Sequence, residues 1–89
     1  MEIAVKRYGD KTLLSLAPGA SGYLDLSNME SVRKALEEQL TKGESKIVLD
    51  VSNISYIDSA AIGLLVEFYN KLFYKQGTMA LLGVSPKVM

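Results

Sequence analysis

The chain has 89 residues, 48% of them hydrophobic, with ten basic and ten acidic side chains and neither cysteine nor histidine. That length supports one domain around one core. The two missing residue types exclude disulfides, Ser-His-Asp and Cys-His catalysis, and the commonest metal-ligand sets. Balanced charge, and two Phe without any Trp, argue against a nucleic-acid surface, which needs a basic face and stacking rings.

The first elements alternate. Residues 2–8 place Ile3 and Val5 on one side and Ala4 and Lys6 on the other, the period of a strand. Gly9-Asp10 marks a tight turn into a second strand over residues 11–17, which predicts an antiparallel hairpin. Proline and four small residues interrupt the chain at 18–22, and an extended stretch resumes at Tyr23-Leu24-Asp25-Leu26.

A helix follows. Ser27 or Asn28 is placed to cap it, and Ser27 with Glu30 has capping-box spacing. Met29, Val32, Leu36 and Leu40 form its apolar stripe, widened by Ala35. Charged residues on the far face offer the i,i+4 pairs Glu30–Lys34, Arg33–Glu37, Lys34–Glu38 and Glu38–Lys42. Gly43 ends it.

Residues 47–51 read as a buried central strand. Ile54, Tyr56 and Ile57 are apolar anchors in the loop after it. A second helix over 59–76 is apolar almost all round at its start, and Gly77 stops it. Leu64, Tyr69 and Phe73 cannot all face a sheet, so part of this helix is surface for a partner or a second copy. A fourth strand runs over 78–84, and Ser85-Pro86 opens a third helix. The order predicts an α/β fold: a mixed sheet of about four strands, an N-terminal antiparallel hairpin followed by parallel crossovers, with helices mainly on one face.

The chemistry concentrates at Asp58-Ser59-Ala60-Ala61-Ile62-Gly63, where a strand delivers the chain to a helix start. The first N–H groups of a helix lack internal acceptors and favour negative charge. Serine and aspartate there most often serve as caps. The small residues beside them most often serve close packing against the sheet, or else they leave the mouth of the helix open to another protein. Asp25 and Asp50 sit at strand ends, where carboxylates usually close turns, and Tyr56 reads as an amphipathic core residue.

This segment, with the strand and aromatic loop before it, resembles the signature of STAS domains, and in particular of bacterial anti-sigma factor antagonists. Gly22-Tyr23-Leu24-Asp25 resembles the family's Gly-x-Leu-Asp, and Ser85-Pro86-Lys87-Val88 its Ser-Pro-x-Val. The resemblance implies a cytoplasmic, non-catalytic regulator of transcription without a cofactor. Such a protein binds an anti-sigma factor that is also a serine kinase of the histidine-kinase-like ATPase fold, and so releases a sigma factor. Ser59 is the implied phosphorylation site. Asp25, Asp58, Ser59, Ala60, Ala61, Ile62 and Gly63 are the implied partner-binding residues. A metal-dependent serine phosphatase would reset the switch. Phosphate adds about −1.5 to −2 charges beside Asp58 and blocks close approach.

The chain departs from the pattern in three ways. Ala60 and Ala61 stand where Ser and Gly are frequent. The loop at 18–21 is long. Family members continue through a complete third helix, whereas only residues 85–89 of it are present, which reads as a single domain, 1–89, cut within that helix.

Rival readings are a STAS partner subunit of an ABC-transporter ATPase or of a stressosome, and an anion- or nucleotide-binding module at the same helix end. Catalysis is disfavoured, since adjacent Asp and Ser form no nucleophile–base pair and no Walker pattern occurs. Direct binding of nucleic acid or membrane is not expected. The longest apolar run, 60–66, is far short of the roughly 20 residues needed to span a bilayer.

Overall fold

The computed structural model describes residues 1–19 and 22–84. Its elements run β1 (Glu2–Tyr8), β2 (Lys11–Ala17), β3 (Tyr23–Leu24), α1 (Met29–Thr41), β4 (Lys46–Asp50), β5 (Tyr56–Ile57), α2 (Ser59–Tyr74) and β6 (Thr78–Leu82). The Ser85-Pro86 helix start, and the cut within a third helix, lie outside the described residues, as do Ala20 and Ser21 of the long loop.

The main sheet has the order β1-β2-β4-β6. β1 and β2 pair antiparallel from Tyr8↔Lys11 to Glu2↔Ala17, as the two-residue turn at Gly9-Asp10 requires. β2 pairs parallel with β4, and β4 with β6, each parallel step using a helix as crossover. The expected mixed sheet is therefore present.

Period-two alternation decides which face is covered. Thr12, Leu14 and Leu16 of β2 and Ile47 and Leu49 of β4 are buried, while Leu13, Ser15, Val48 and Asp50 between them are half-buried. Register aligns Leu14, Leu49 and Leu81 across three strands. Met29, Val32 and Leu36 of α1 and Leu64, Leu65, Phe68 and Leu72 of α2 complete the same core cluster. Phe68 is the largest side chain fully buried there, and burying one such side chain stabilises the fold by about 1.5–3 kcal/mol.

The core admits two polar residues, Thr12 and Gln39. The Thr12 hydroxyl donates to Glu44 Oε2 at 3.1 Å, and Arg7 holds Glu44 Oε1 at 2.7 Å. Among the described residues no buried side-chain polar atom lacks a partner.

Several expectations change. The capping box does not form. Asn28 occupies the N-cap position of α1 without a side-chain cap bond, and Ser27 turns its hydroxyl to Asp25 instead, at 2.5 Å. Gln39 is buried while Leu40 is half-buried. The four i,i+4 pairs are absent among the described residues; Arg33 instead bridges Glu30 and, across helices, Glu67 of α2. The central strand lies one residue earlier than expected, at Lys46–Asp50, and α2 and β6 each stop two residues early. Among the described residues, no helix is long and apolar enough to cross a membrane.

Candidate functional site

The sequence reading missed a second, two-stranded sheet. β3 and β5 pair parallel, Tyr23 with Tyr56 and Leu24 with Ile57. Ser55 N–H donates to Gly22 O at 2.7 Å, and Asp58 N–H donates to Leu24 O at 3.1 Å. This small ladder joins the segment entering α1 to the segment entering α2 and brings Asp25 and Asp58 onto one end of the molecule. Gly22 is required at the junction. Its φ of +69° lies in the left-handed region that favours glycine, and a Cβ there would lie 2.6 Å from the Ser55 hydroxyl.

Asp58 is extended, with φ −84° and ψ 174°, and its side chain accepts from Ala61 N–H at 2.8 Å. It is therefore the N-cap of α2. Its second oxygen accepts from Leu26 N–H at 3.2 Å. One carboxylate thus closes the helix end and pins the neighbouring loop. Asp25 closes its own turn, accepting from Ser27 N–H at 3.0 Å. Asn28 braces the same loop, its amide donating to Tyr23 O at 2.8 Å and accepting from Asp25 N–H at 3.0 Å.

Because Asp58 supplies the cap, Ser59 does not. Ser59 is exposed at the first position of α2, and its hydroxyl has no hydrogen bond to any described residue. Ala60, Ile62 and Gly63 are exposed beside it. Ala61 is a correction: at 0% exposure it lies in the core, where only its N–H takes part, through Asp58, so its side chain is not partner surface. Gly63 differs from it. An added Cβ at Gly63 meets nothing within 4 Å, so packing within this chain does not call for glycine there.

Tyr56 is a second correction. It stands half exposed beside Tyr23, ring centroids 5.3 Å apart, because a two-stranded ladder turns one residue of each pair outward. Tyr23 and the 76%-exposed Leu26 add apolar surface that the sequence reading left unassigned. The outward position of Tyr23, next to the inward Leu24, was the available signal.

Residues 22–30 and 51–66, which converge here, carry Asp25, Glu30 and Asp58 and no Lys or Arg. The site is locally acidic although the chain is neutral. Asp50 stands apart as a structural carboxylate: hydrogen bonds from Ser52, side chain first and then backbone, hold its pKa below the usual value. No group of three or more acidic side chains among the described residues is arranged to hold a metal.

Comparison with known proteins matches the STAS domain family model to residues 12–89. An anti-sigma F factor antagonist of Paenibacillus polymyxa is 32% identical over 69 residues, covering 76% of this chain and 59% of that protein. The chain spans about three fifths of the length of the curated relatives it matches. Among solved structures, an anti-sigma factor antagonist from Mycobacterium paratuberculosis superposes with a TM-score of 0.81 at 17% identity, over 97% of this chain and 69% of that one. The Bacillus protein SpoIIAA superposes in its unphosphorylated form with a TM-score of 0.75 and in its phosphorylated form with 0.74, each at 22% identity. The two alignments cover 96% of this chain and 76% and 75% of SpoIIAA. At those identities the likeness is one of fold.

Proposed function

The chain belongs to the STAS domain family, and from that premise we propose that it acts as an anti-sigma factor antagonist switched by phosphorylation of Ser59. The observation that carries this reading is the division of labour at the start of α2. Asp58 satisfies the helix end, which leaves the adjacent hydroxyl exposed and uncommitted. The relative from Paenibacillus polymyxa carries the antagonist function in its name, and SpoIIAA, of the same fold, exists in phosphorylated and unphosphorylated forms.

The unphosphorylated protein docks an anti-sigma factor over Asp25, Asp58, Ser59, Ala60, Ile62 and Gly63, where small side chains permit close approach. That partner is a serine kinase of the histidine-kinase-like ATPase fold, and a serine phosphatase reverses its action. Phosphate on Ser59 places about −1.5 to −2 charges next to Asp58. Neither converging segment offers a basic residue to fold the phosphate down. It therefore projects into the space a partner must occupy, and binding is lost without a change of fold.

The test incubates the chain and Ser59→Ala with the cognate kinase and ATP and measures incorporated phosphate and complex formation. Phosphate only in the wild type, and a stable complex only with the unmodified protein, are the expected results. Equal incorporation in both proteins overturns the assignment of Ser59.

A further inference from the structure

The β3–β5 ladder sends Leu24 inward, where it is fully buried, and sets Tyr23 and Tyr56 side by side on its outer face. Each ring is 50% exposed, and the two are tilted at 51° with their centroids 5.3 Å apart. Leu26, 76% exposed, is tied to the same end of the molecule by the bond from its N–H to Asp58 Oδ2. Exposed apolar residues scattered singly are ordinary. These three are gathered at one end. An aromatic pair also steadies the ladder it stands on. That role explains the ring faces turned to each other, not the faces left bare, and it gives no account of Leu26.

The backbone under the patch is fixed before any partner arrives. Ser55 N–H donates to Gly22 O, Asp58 N–H donates to Leu24 O, and the Asn28 amide donates to Tyr23 O. Asn28 stands at the N-cap position of α1 yet makes no cap bond there; its side chain braces the Tyr23–Asp25 segment instead. A tyrosine has few rotatable bonds, so on such a frame its ring area converts to affinity with little entropy lost. Tyr23 precedes Asp25 by two positions, and Tyr56 precedes Asp58 by two and Ser59 by three. The patch therefore adjoins the docking end, and Asp25, Glu30 and Asp58 border it without a Lys or Arg in either converging segment. Aromatic and aliphatic surface inside a charged rim is the anatomy of a binding interface.

We propose that Tyr23, Tyr56 and Leu26 anchor the docking surface, and that the anti-sigma factor meets them with an apolar recess bordered by Lys or Arg. The inference rests on the function proposed above and adds a division of the surface to it. The tyrosine patch holds the partner, and Ser59 decides whether the partner stays. The acidic rim pairs with the basic border and fixes the orientation of docking. Because the rings lie beside the Ser59 hydroxyl and not on it, their loss weakens the hold on the kinase without altering phosphoryl transfer.

Calorimetric titration with the cognate kinase measures the anchor, and steady-state phosphorylation with ATP measures the transfer. Tyr23→Ala and Tyr56→Ala should each raise the dissociation constant roughly tenfold or more, the scale of an anchor residue. The KM for phosphorylation of Ser59 should rise in step while kcat stays within about twofold, as for a contact made equally in ground and transition states. Tyr8→Ala, which removes a 56%-exposed tyrosine at the far, hairpin end of β1, should leave both unchanged. Circular dichroism checks that each variant folds. Should a tyrosine variant fail that check, Leu26→Lys, at the most exposed of the three positions, carries the test, since it sets a cation against a recess bordered by cations. Wild-type binding that none of these patch variants weakens overturns the inference and leaves the proposed function standing. A fall in kcat at unchanged KM overturns it too, because the rings would then act at the transfer and not in the anchor. A wild-type chain that neither binds the kinase nor accepts phosphate overturns both readings.

Discussion

Asp58 and Leu26, 32 positions apart, are joined by a 3.2 Å hydrogen bond from the Leu26 N–H to the carboxylate that also caps α2. The bond makes the start of the second helix and the approach to the first a single unit. Asp58→Ala removes both contacts. Loss of a helix cap costs about 0.5–2 kcal/mol, and urea denaturation should show a loss in that range. Amide exchange at residues 24–28 should accelerate as well. A stability loss with unchanged exchange in that loop would reduce Asp58 to a cap alone.

Gly22 sits where the same unit is tightest. Gly22→Ala meets the Ser55 hydroxyl at 2.6 Å and the Asn53 carbonyl at 3.2 Å, at a φ of +69°. A left-handed non-glycine residue costs about 1 kcal/mol or more before any clash is counted. The substitution should therefore destabilise the fold by at least about 1 kcal/mol. Adding Ser55→Ala should recover only the part due to the side chain, because the backbone angle and the Asn53 carbonyl remain. Full recovery in the double variant would show that the angle is tolerated.

What the sequence made legible follows from pattern length. The seven-residue alternation of β1 and β2, the apolar run at β4 and the long periodic helices each repeat their signal several times, so the antiparallel hairpin and the parallel crossovers were readable, while the order of the strands in the sheet came only with the structure. The β3–β5 ladder has two residues on each side, too few to show a period, and Tyr56 was accordingly assigned to the core. The capping box failed for a related reason. Ser27 and Glu30 have the spacing, but the Asp25 carboxylate competes for the Ser27 hydroxyl, and a tertiary loop decided the outcome. The Asp58-Ser59 pair was legible as a helix start. Which of the two caps was not, because both residue types can; in the fold the Asp58 carboxylate accepts from both Ala61 N–H and Leu26 N–H.

The Arg7–Glu44–Thr12 cluster should matter more than its surface neighbours. Glu44 is 12% exposed on its side chain and serves the hydroxyl of fully buried Thr12. Glu44→Ala leaves that hydroxyl without its acceptor, and an orphaned buried polar group costs about 1–3 kcal/mol. Chemical denaturation should find a loss of that size, and Thr12→Val in the same background should restore part of it. Lys46→Ala, which breaks the exposed ion pair with Asp10, should leave the midpoint unchanged.

Acid should expose a further contribution. Asp50 has its pKa lowered from 3.8 by hydrogen bonds from Ser52. A carboxyl whose folded pKa lies below its unfolded value binds protons more readily in the unfolded chain. Its contribution is therefore complete above the unfolded value and is lost as pH falls through the folded one. Thermal melts from neutral pH downward should show stability falling below about pH 4, where ordinary carboxyls begin to protonate. Asp50→Asn should be less stable than wild type at neutral pH and converge with it in acid. Parallel curves over the whole range would remove Asp50 from the acid response.

Gly63 separates stability from binding. It lies inside α2, where glycine costs about 0.5–1 kcal/mol relative to alanine, and the space a Cβ would enter is empty for 4 Å. Gly63→Ala should therefore stabilise the isolated chain by that amount. A residue kept small for no internal reason, on the same exposed helix end as Ser59, fits a surface that another backbone must approach closely. On the proposed function, the same substitution should then weaken binding to the anti-sigma factor while the melting temperature rises, and Gly63→Leu should weaken it further. Calorimetric titration alongside thermal melts measures both effects. Stabilisation with unaltered affinity would exclude Gly63 from the docking surface and leave Asp25, Asp58, Ser59, Ala60 and Ile62 within it.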